Sequence, residues 1–223
     1  MSKSLPLFSF FLLFLFALPS GNGPEEDWVL RKEKNGIKVY TRHSTASRIK
    51  ELRMTLKTDA SLSNLIALLN DTEGYEEWAY RFEESKTLEH LTQTKSIYYG
   101  LVDFPWPLSD RDIVATSTIT QDPITRVVTV NTDAISDYPD MPQKKGIVRI
   151  TQHHNQWRFE PRADGYVYID YLLQSDPAGS IPTWAINMAL DQGSSQSMEL
   201  FLEKLPDDKY RNAMVPFIKE FGR

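Results

Sequence analysis

Two acids flank one arginine at Asp110-Arg111-Asp112, directly after the aromatic, proline-rich run FPWPLS and directly before the β-branched run that begins at Ile113. On a strand, Asp110 and Asp112 share a face and could bind a metal or act as an acid–base pair, with Arg111 pointing the other way. Asp110, however, falls where a turn should precede the strand, and a short acid there satisfies its own backbone. The triplet therefore reads as a clamp that fixes where the strand enters its sheet. The histidines are His43, His90, His153 and His154. The adjacent pair would face opposite sides of a strand, so it is poorly placed to chelate one ion. No H-E-x-x-H motif occurs. The segment GSSQS at 193–197 lacks the second glycine of a nucleophile elbow and lies inside a helical pattern. The absence of cysteine excludes disulfides, thiolate metal sites and a cysteine nucleophile. No catalytic set, metal site or cofactor is expected.

The elements that must position these residues are legible from periodicity. Apolar residues flank Asn35-Gly36 in DWVLRKEKNGIKVYTR (27–42), which predicts a hairpin, because both turn positions need positive φ. A third strand is expected over 48–57. Asp59 or Ser61 then caps a helix in which Leu62, Leu65, Ile66 and Leu69 recur at helical spacing. A short helical or turn segment follows at 75–82. Further strands are expected at 85–91, 94–104, 113–120, 125–134, 146–153, 156–160 and 165–174. In the last of these Val167, Ile169, Tyr171 and Leu173 are assigned inward. Ile181–Leu205 reads as one long helix that starts at Pro182, and 207–221 as a further helix limited by Pro216. A hairpin, a helix, an antiparallel run and a long last helix give an α+β protein.

Length and composition narrow the function. The chain has 223 residues, 25% of them charged and 41% hydrophobic, which suits one globular domain with a sizeable core. Its formal charge of −5, without a clustered basic face, gives nucleic acid no electrostatic footing. Lys3 precedes an apolar run from Leu5 to Leu18, followed by Pro19-Ser20-Gly21-Asn22-Gly23. A cationic start, an apolar middle too short for a comfortable span and small residues after it predict a secretory signal over 1–23, or an uncleaved anchor. The remaining 24–223 reads as one domain, expected to be a monomer in the periplasm or outside the cell.

Four segments resemble one family in order and spacing: DWVLRKEKNGIKVYTR (27–42), FPWPLSDRDIV (104–114), DMPQKKGIVRI (140–150) and DPAGSIPTWAINMAL (176–190). They are similar to the matching segments of START domains, the steroidogenic-acute-regulatory-protein-related lipid transfer family, over about 27–205. The resemblance implies a helix-grip fold, in which a curved antiparallel sheet wraps a long carboxy-terminal helix around a tunnel. It also implies one bound lipid, transient membrane contact and no cofactor. Family members commonly begin with a helix ahead of the first strand, and here only Gly23–Glu26 separate the expected signal from Trp28, so that helix is expected to be missing or replaced by the signal region. Some members carry a buried acid–base pair in the tunnel. Counted from the Arg-Asp motif, those positions are Tyr98 and Ser117, and neither is charged. This implies a neutral lipid or a head group read by hydroxyls.

The expected lining comes from inward strand positions: Tyr98, Ile113, Ser117, Val148, Ile150, Trp157 and Tyr171. The last helix adds Trp184 and Met188 from its apolar face, and Gln192 and Ser195 from the polar run DQGSSQS, where Gln196 is a further possibility. The long loop 133–145 is the expected gate. An enzyme on the same architecture, a polyketide-cyclase-like protein or a hydrolase, is the alternative; a protein-interaction module with a filled core is the third reading.

Overall fold

The computed structural model describes residues 28–44, 49–182, 185–186 and 192–222. The predicted signal, and the residues ahead of Trp28, lie outside them. Asn35 and Gly36 take φ of 53° and 79°, as a two-residue hairpin requires, and join β1 (Val29–Lys34) to β2 (Ile37–Arg42). β3 (Glu51–Thr58) leads to α1 (Leu62–Asn70), capped by Ser61. Ser61 Oγ accepts from the Asn64 amide at 3.2 Å, and Asn64 Oδ1 accepts from the Ser61 amide at 3.1 Å. The Glu220 carboxylate accepts from the Leu62 and Ser63 amides at 3.1 and 2.9 Å, so a side chain near the carboxy terminus covers two further helix donors.

After a 3-10 turn at Thr72–Glu77 the chain builds β4 (Phe82–Thr92), β5 (Lys95–Val102), β6 (Arg111–Gln121), β7 (Val128–Ala134), β8 (Val148–Arg149), β9 (Gln152–Pro161) and β10 (Val167–Asp176). The sheet order is β1-β2-β3-β10-β9-β7-β6-β5-β4, antiparallel throughout, with β8 added in parallel to β6. The single strand expected over 146–153 is therefore two pieces. β7 occupies the edge of β6 from Ala115 onward, so β8 can pair only at Arg111 and Asp112. The chain then leaves that edge and continues as β9 between β7 and β10.

α2 (Ser194–Lys204) and the one-turn α3 (Asp208–Arg211) follow. The long helix expected over 181–205 is described at its two ends. The Pro182 carbonyl accepts from the Ala185 and Ile186 amides, which opens a helical turn, and α2 forms the far end. The helix expected over 207–221 is confined to α3. Beyond it, Gln121 grips Lys219 by both backbone groups and Glu220 reaches α1, so tertiary ties hold this segment in turns. One core joins strands from β2 to β10 with both helices: Leu52, Met54, Val130 and Phe159 pack with Leu65, Ile66, Met198 and Phe201. A smaller cluster of Ile97, Tyr99 and Val114 lies apart from it, covered by Ile135, Tyr138 and Met141.

Candidate functional site

The triplet at 110–112 is divided among three tasks. Asp110 Oδ1 accepts from the Phe104 amide at 3.0 Å and closes the turn before β6. Asp112, fully buried, receives Arg149 in a two-pronged pair at 2.7 and 2.9 Å, and Arg149 also donates to the Met141 carbonyl. Arg111 is buried to 3% exposure and donates to the carbonyls of Ser109, Pro177 and Ala178. Its guanidinium lies 4.3 Å from the centre of the Phe104 ring. It thus ties the 104–109 loop to the turn after β10, where Ala178 and Gly179 both take positive φ. The clamp reading holds.

What the clamp frames is a hollow of about 300 Å³ between the sheet, the 3-10 turn and the amino-terminal end of α2. Met54, Leu69, Trp78, Val130, Trp157 and Met198 give it apolar walls. Tyr75 stands edge-on to Trp78 and Tyr98, and Trp157 lies 4.5 Å from Tyr171. Phe104, Pro105, Pro177 and Ile181 border the same space, and Trp106, next to them, is 90% exposed. Charge is confined to half-exposed residues: Lys50, and Arg81 paired with Asp103. Gly193 permits α2 to approach, since a Cβ there would stand 2.7 Å from the Tyr80 ring.

The sheet side of the hollow carries a polar row. Ser117 lies opposite Thr132, and Thr132 lies opposite Asn155, so three hydrogen-bonding side chains sit side by side on β6, β7 and β9. Burial raises the Tyr98 phenol above its ordinary value, against a smaller opposing effect of Thr132. His153, directly opposite Ser175, contacts Ser175 Oγ through Nδ1 at 3.1 Å and Asn155 Nδ2 through Nε2 at 3.0 Å. Asn155 donates there, which leaves the ring proton on Nδ1 facing Ser175. Loss of water around the ring, and then the neighbouring His154, push the His153 pKa down to about 4. His154 points the other way, to Asp133 at 2.7 Å.

Six expected lining residues, Tyr98, Ile113, Ser117, Ile150, Trp157 and Tyr171, border this one space. Trp184 and Met188 lie outside the described residues. Three expectations are corrected. Val148 has the parity of Ile150 but sits opposite Arg111, about 7 Å farther along the strand and off the wall. Gln192 is exposed to solvent, as is Gln196. Ser195 is buried toward Ile37 and Val39 on β2 instead, because each helical step turns about 100° and its neighbours Ser194 and Ser197 take the cavity side. The expected gate is corrected too: the chain after β7 packs Ile135, Tyr138 and Met141 on Tyr99 and Val114, away from the hollow. His153, Asn155, Ser175 and Thr132 were not anticipated. The parity that places Trp157 and Tyr171 inward extends to Asn155, His153 and Ser175.

A family model for the START domain matches residues 20–205. The chain belongs to the START domain family. Its helix-grip architecture is that of a solved fragment of a STAR-related lipid transfer protein from Xanthomonas axonopodis, 31% identical, with a TM-score of 0.72 over 80% of this chain and 98% of that one. An uncharacterized protein of Pseudomonas aeruginosa, PA1579, is 30% identical over 168 residues, 75% of this START protein and 81% of its own length. The mouse phosphatidylcholine transfer protein is 27% identical over 175 residues, 75% and 78% of the two chains.

Proposed function

We propose that this START domain encloses one lipid in its hollow and carries it through water or between membranes. The carrying observation is the space itself: about 300 Å³ with aromatic and aliphatic walls and charge only at half-exposed residues. Each methylene removed from water contributes about 0.8 kcal/mol, so such a space favours an acyl or ring system over solvent. The names of two relatives, a phosphatidylcholine transfer protein and a STAR-related lipid transfer protein, support the reading. Trp106, exposed beside the cavity residues Phe104 and Pro105, is the membrane contact, since an indole suits the headgroup boundary. The apolar run behind Lys3 exports the chain.

One contact favours hydrolysis as a second reading, the Ser175–His153 pair. It is the weaker one, because the ring proton faces the serine and a pKa of about 4 makes a poor base near neutrality. Mass spectrometry of lipid extracted from the purified protein tests both. Intact lipid at one per chain supports the carrier; steady release of fatty acid supports the hydrolase; no lipid after incubation with vesicles overturns the carrier. Trp106→Ala should slow transfer between vesicles several-fold while one lipid per chain is retained.

A further inference from the structure

The polar side of the hollow has more hydrogen-bonding capacity than the protein uses. Ser117 and Tyr171 both border the space, and neither hydroxyl has a hydrogen-bond partner among the described residues. Asn155 spends its Nδ2 on His153, and its Oδ1 is buried with no partner. Asn155 itself borders the hollow, and a guest reaches this oxygen when the amide turns about its broad terminal torsion and shifts Nδ2 against His153. Trp78, which borders another wall of the same hollow, likewise keeps its Nε1 donor buried without an acceptor among the described residues. Buried groups of this kind are costly unless something completes them, and the residues that border them leave that place to a guest.

The charge of the row is as informative as its unused bonds. Ser117, Thr132, Asn155, Ser175 and Tyr171 cannot ionise near neutral pH. His153 stays neutral there as well, since its pKa lies near 4. The ionised residues of the cavity wall, Lys50, Arg81 and Asp103, are half-exposed, and the last two neutralise each other. A phosphate or an ammonium placed against the row would be desolvated with no counter-charge to meet it. A hydroxyl can donate to Asn155 Oδ1 and still accept from Ser117 or Tyr171, and an ester carbonyl can accept from an indole N–H.

We infer that the Ser117–Thr132–Asn155 row, with Tyr171, reads the polar end of the guest and selects an uncharged lipid bearing a free hydroxyl over a zwitterionic or anionic phospholipid. Asn155 is the specificity-determining residue, because it alone offers an unused acceptor that cannot donate. The inference rests on the carrier reading and refines it. It explains why a cavity with so few charges still holds a polar row.

A competition experiment separates the two. Purified protein is incubated with vesicles holding equal amounts of dioleoylglycerol, cholesterol, dioleoylphosphatidylcholine and the 3-acetyl ester of dioleoylglycerol, and the bound lipid is extracted and weighed by mass spectrometry. The acetyl ester keeps the shape and removes the donor. Dioleoylglycerol or cholesterol should be recovered at least tenfold over phosphatidylcholine, and dioleoylglycerol at least tenfold over its acetyl ester. The two hydroxyl arms tell a glycerolipid from a sterol. Asn155→Leu should erase most of the preference for the free hydroxyl, read as the ratio of dioleoylglycerol to its acetyl ester, since one hydrogen bond to a buried group is worth about a factor of ten. Should Asn155→Leu not fold, Ser117→Ala and the wild-type ratios decide. Equal or greater loading of phosphatidylcholine, or equal loading of the acetyl ester, overturns the inference and leaves the carrier standing. Failure to load any of the four overturns both.

Discussion

Replacing Arg111 by alanine should cost a large part of the stability of the domain and little of its intrinsic lipid binding. Arg111 serves the carbonyls of Ser109, Pro177 and Ala178 and stacks on Phe104. Truncation leaves three partly or fully enclosed acceptors without a donor, at about 1 kcal/mol each where loops can still admit water. Loss of the guanidinium from the aromatic face adds about 1 kcal/mol more. The expected destabilisation is therefore about 4 kcal/mol, and at roughly 2–4 °C per kcal/mol for a chain of this size the melting temperature should fall by about 8–16 °C. Arg111→Lys should recover a minor fraction, because an ammonium is a single point and cannot fork to carbonyls on two loops. The assay is calorimetry alongside lipid loaded per folded chain, measured well below the melting temperature of each variant. Loading should fall only as far as the folded fraction falls. A variant that melts within a couple of degrees of the parent but loads no lipid would refute the clamp and make Arg111 a ligand contact.

Gly193→Ala sets two effects against each other: alanine gains about 1 kcal/mol of helix propensity, while its Cβ would stand 2.7 Å from the Tyr80 ring. The crowding should win and destabilise by about 1–2 kcal/mol in urea unfolding; a stabilised variant would show that the ring yields freely. His153 gives a pH dependence with a defined sign. Its folded pKa of about 4 lies below the ordinary histidine value of 6.5, so the unfolded chain takes up the proton first as pH falls. Stability contributed by the neutral ring is complete above about pH 6.5 and is lost as pH drops toward 4, by about 3 kcal/mol at most. His153→Gln should flatten that slope in urea titrations between pH 4.5 and 7, and an unchanged slope would assign it to the carboxylates.

The elements carried by local chemistry were legible. Asn35-Gly36 names its own turn, Ser61 and Asn64 form a reciprocal cap, and alternation in β10 puts Val167, Ile169, Tyr171 and Leu173 on one face. What failed was decided by distant partners. The break at Ile150–Thr151 exists because β7 already holds the edge of β6, a fact of pairing that no window of sequence contains. The segment after α3 is expected to be helical, yet Gln121 takes the Lys219 amide and carbonyl and the Glu220 side chain accepts from the first amides of α1. The loop after β7 is long and rich in turn residues, as a gate would be, but its apolar side chains are drawn onto Tyr99 and Val114. In the site the misses follow from stopping short: the parity that placed Trp157 inward also places Asn155 and His153 there. Ser195 fails for a different reason, since a polar run on a helix is shared among all its faces.

The hollow itself ties cargo to stability. Emptied, the hollow holds water against its apolar walls, and each methylene of a guest that displaces it contributes about 0.8 kcal/mol to the loaded form. The loaded form is then the stable one, and the empty form is driven to refill or to collapse around its own walls. Delipidated protein should melt several degrees below the loaded form, with the gap closing as dioleoylglycerol is added back. An identical midpoint with and without lipid would mean that the walls close on themselves at no cost, and the link between holding a guest and holding the fold would be broken.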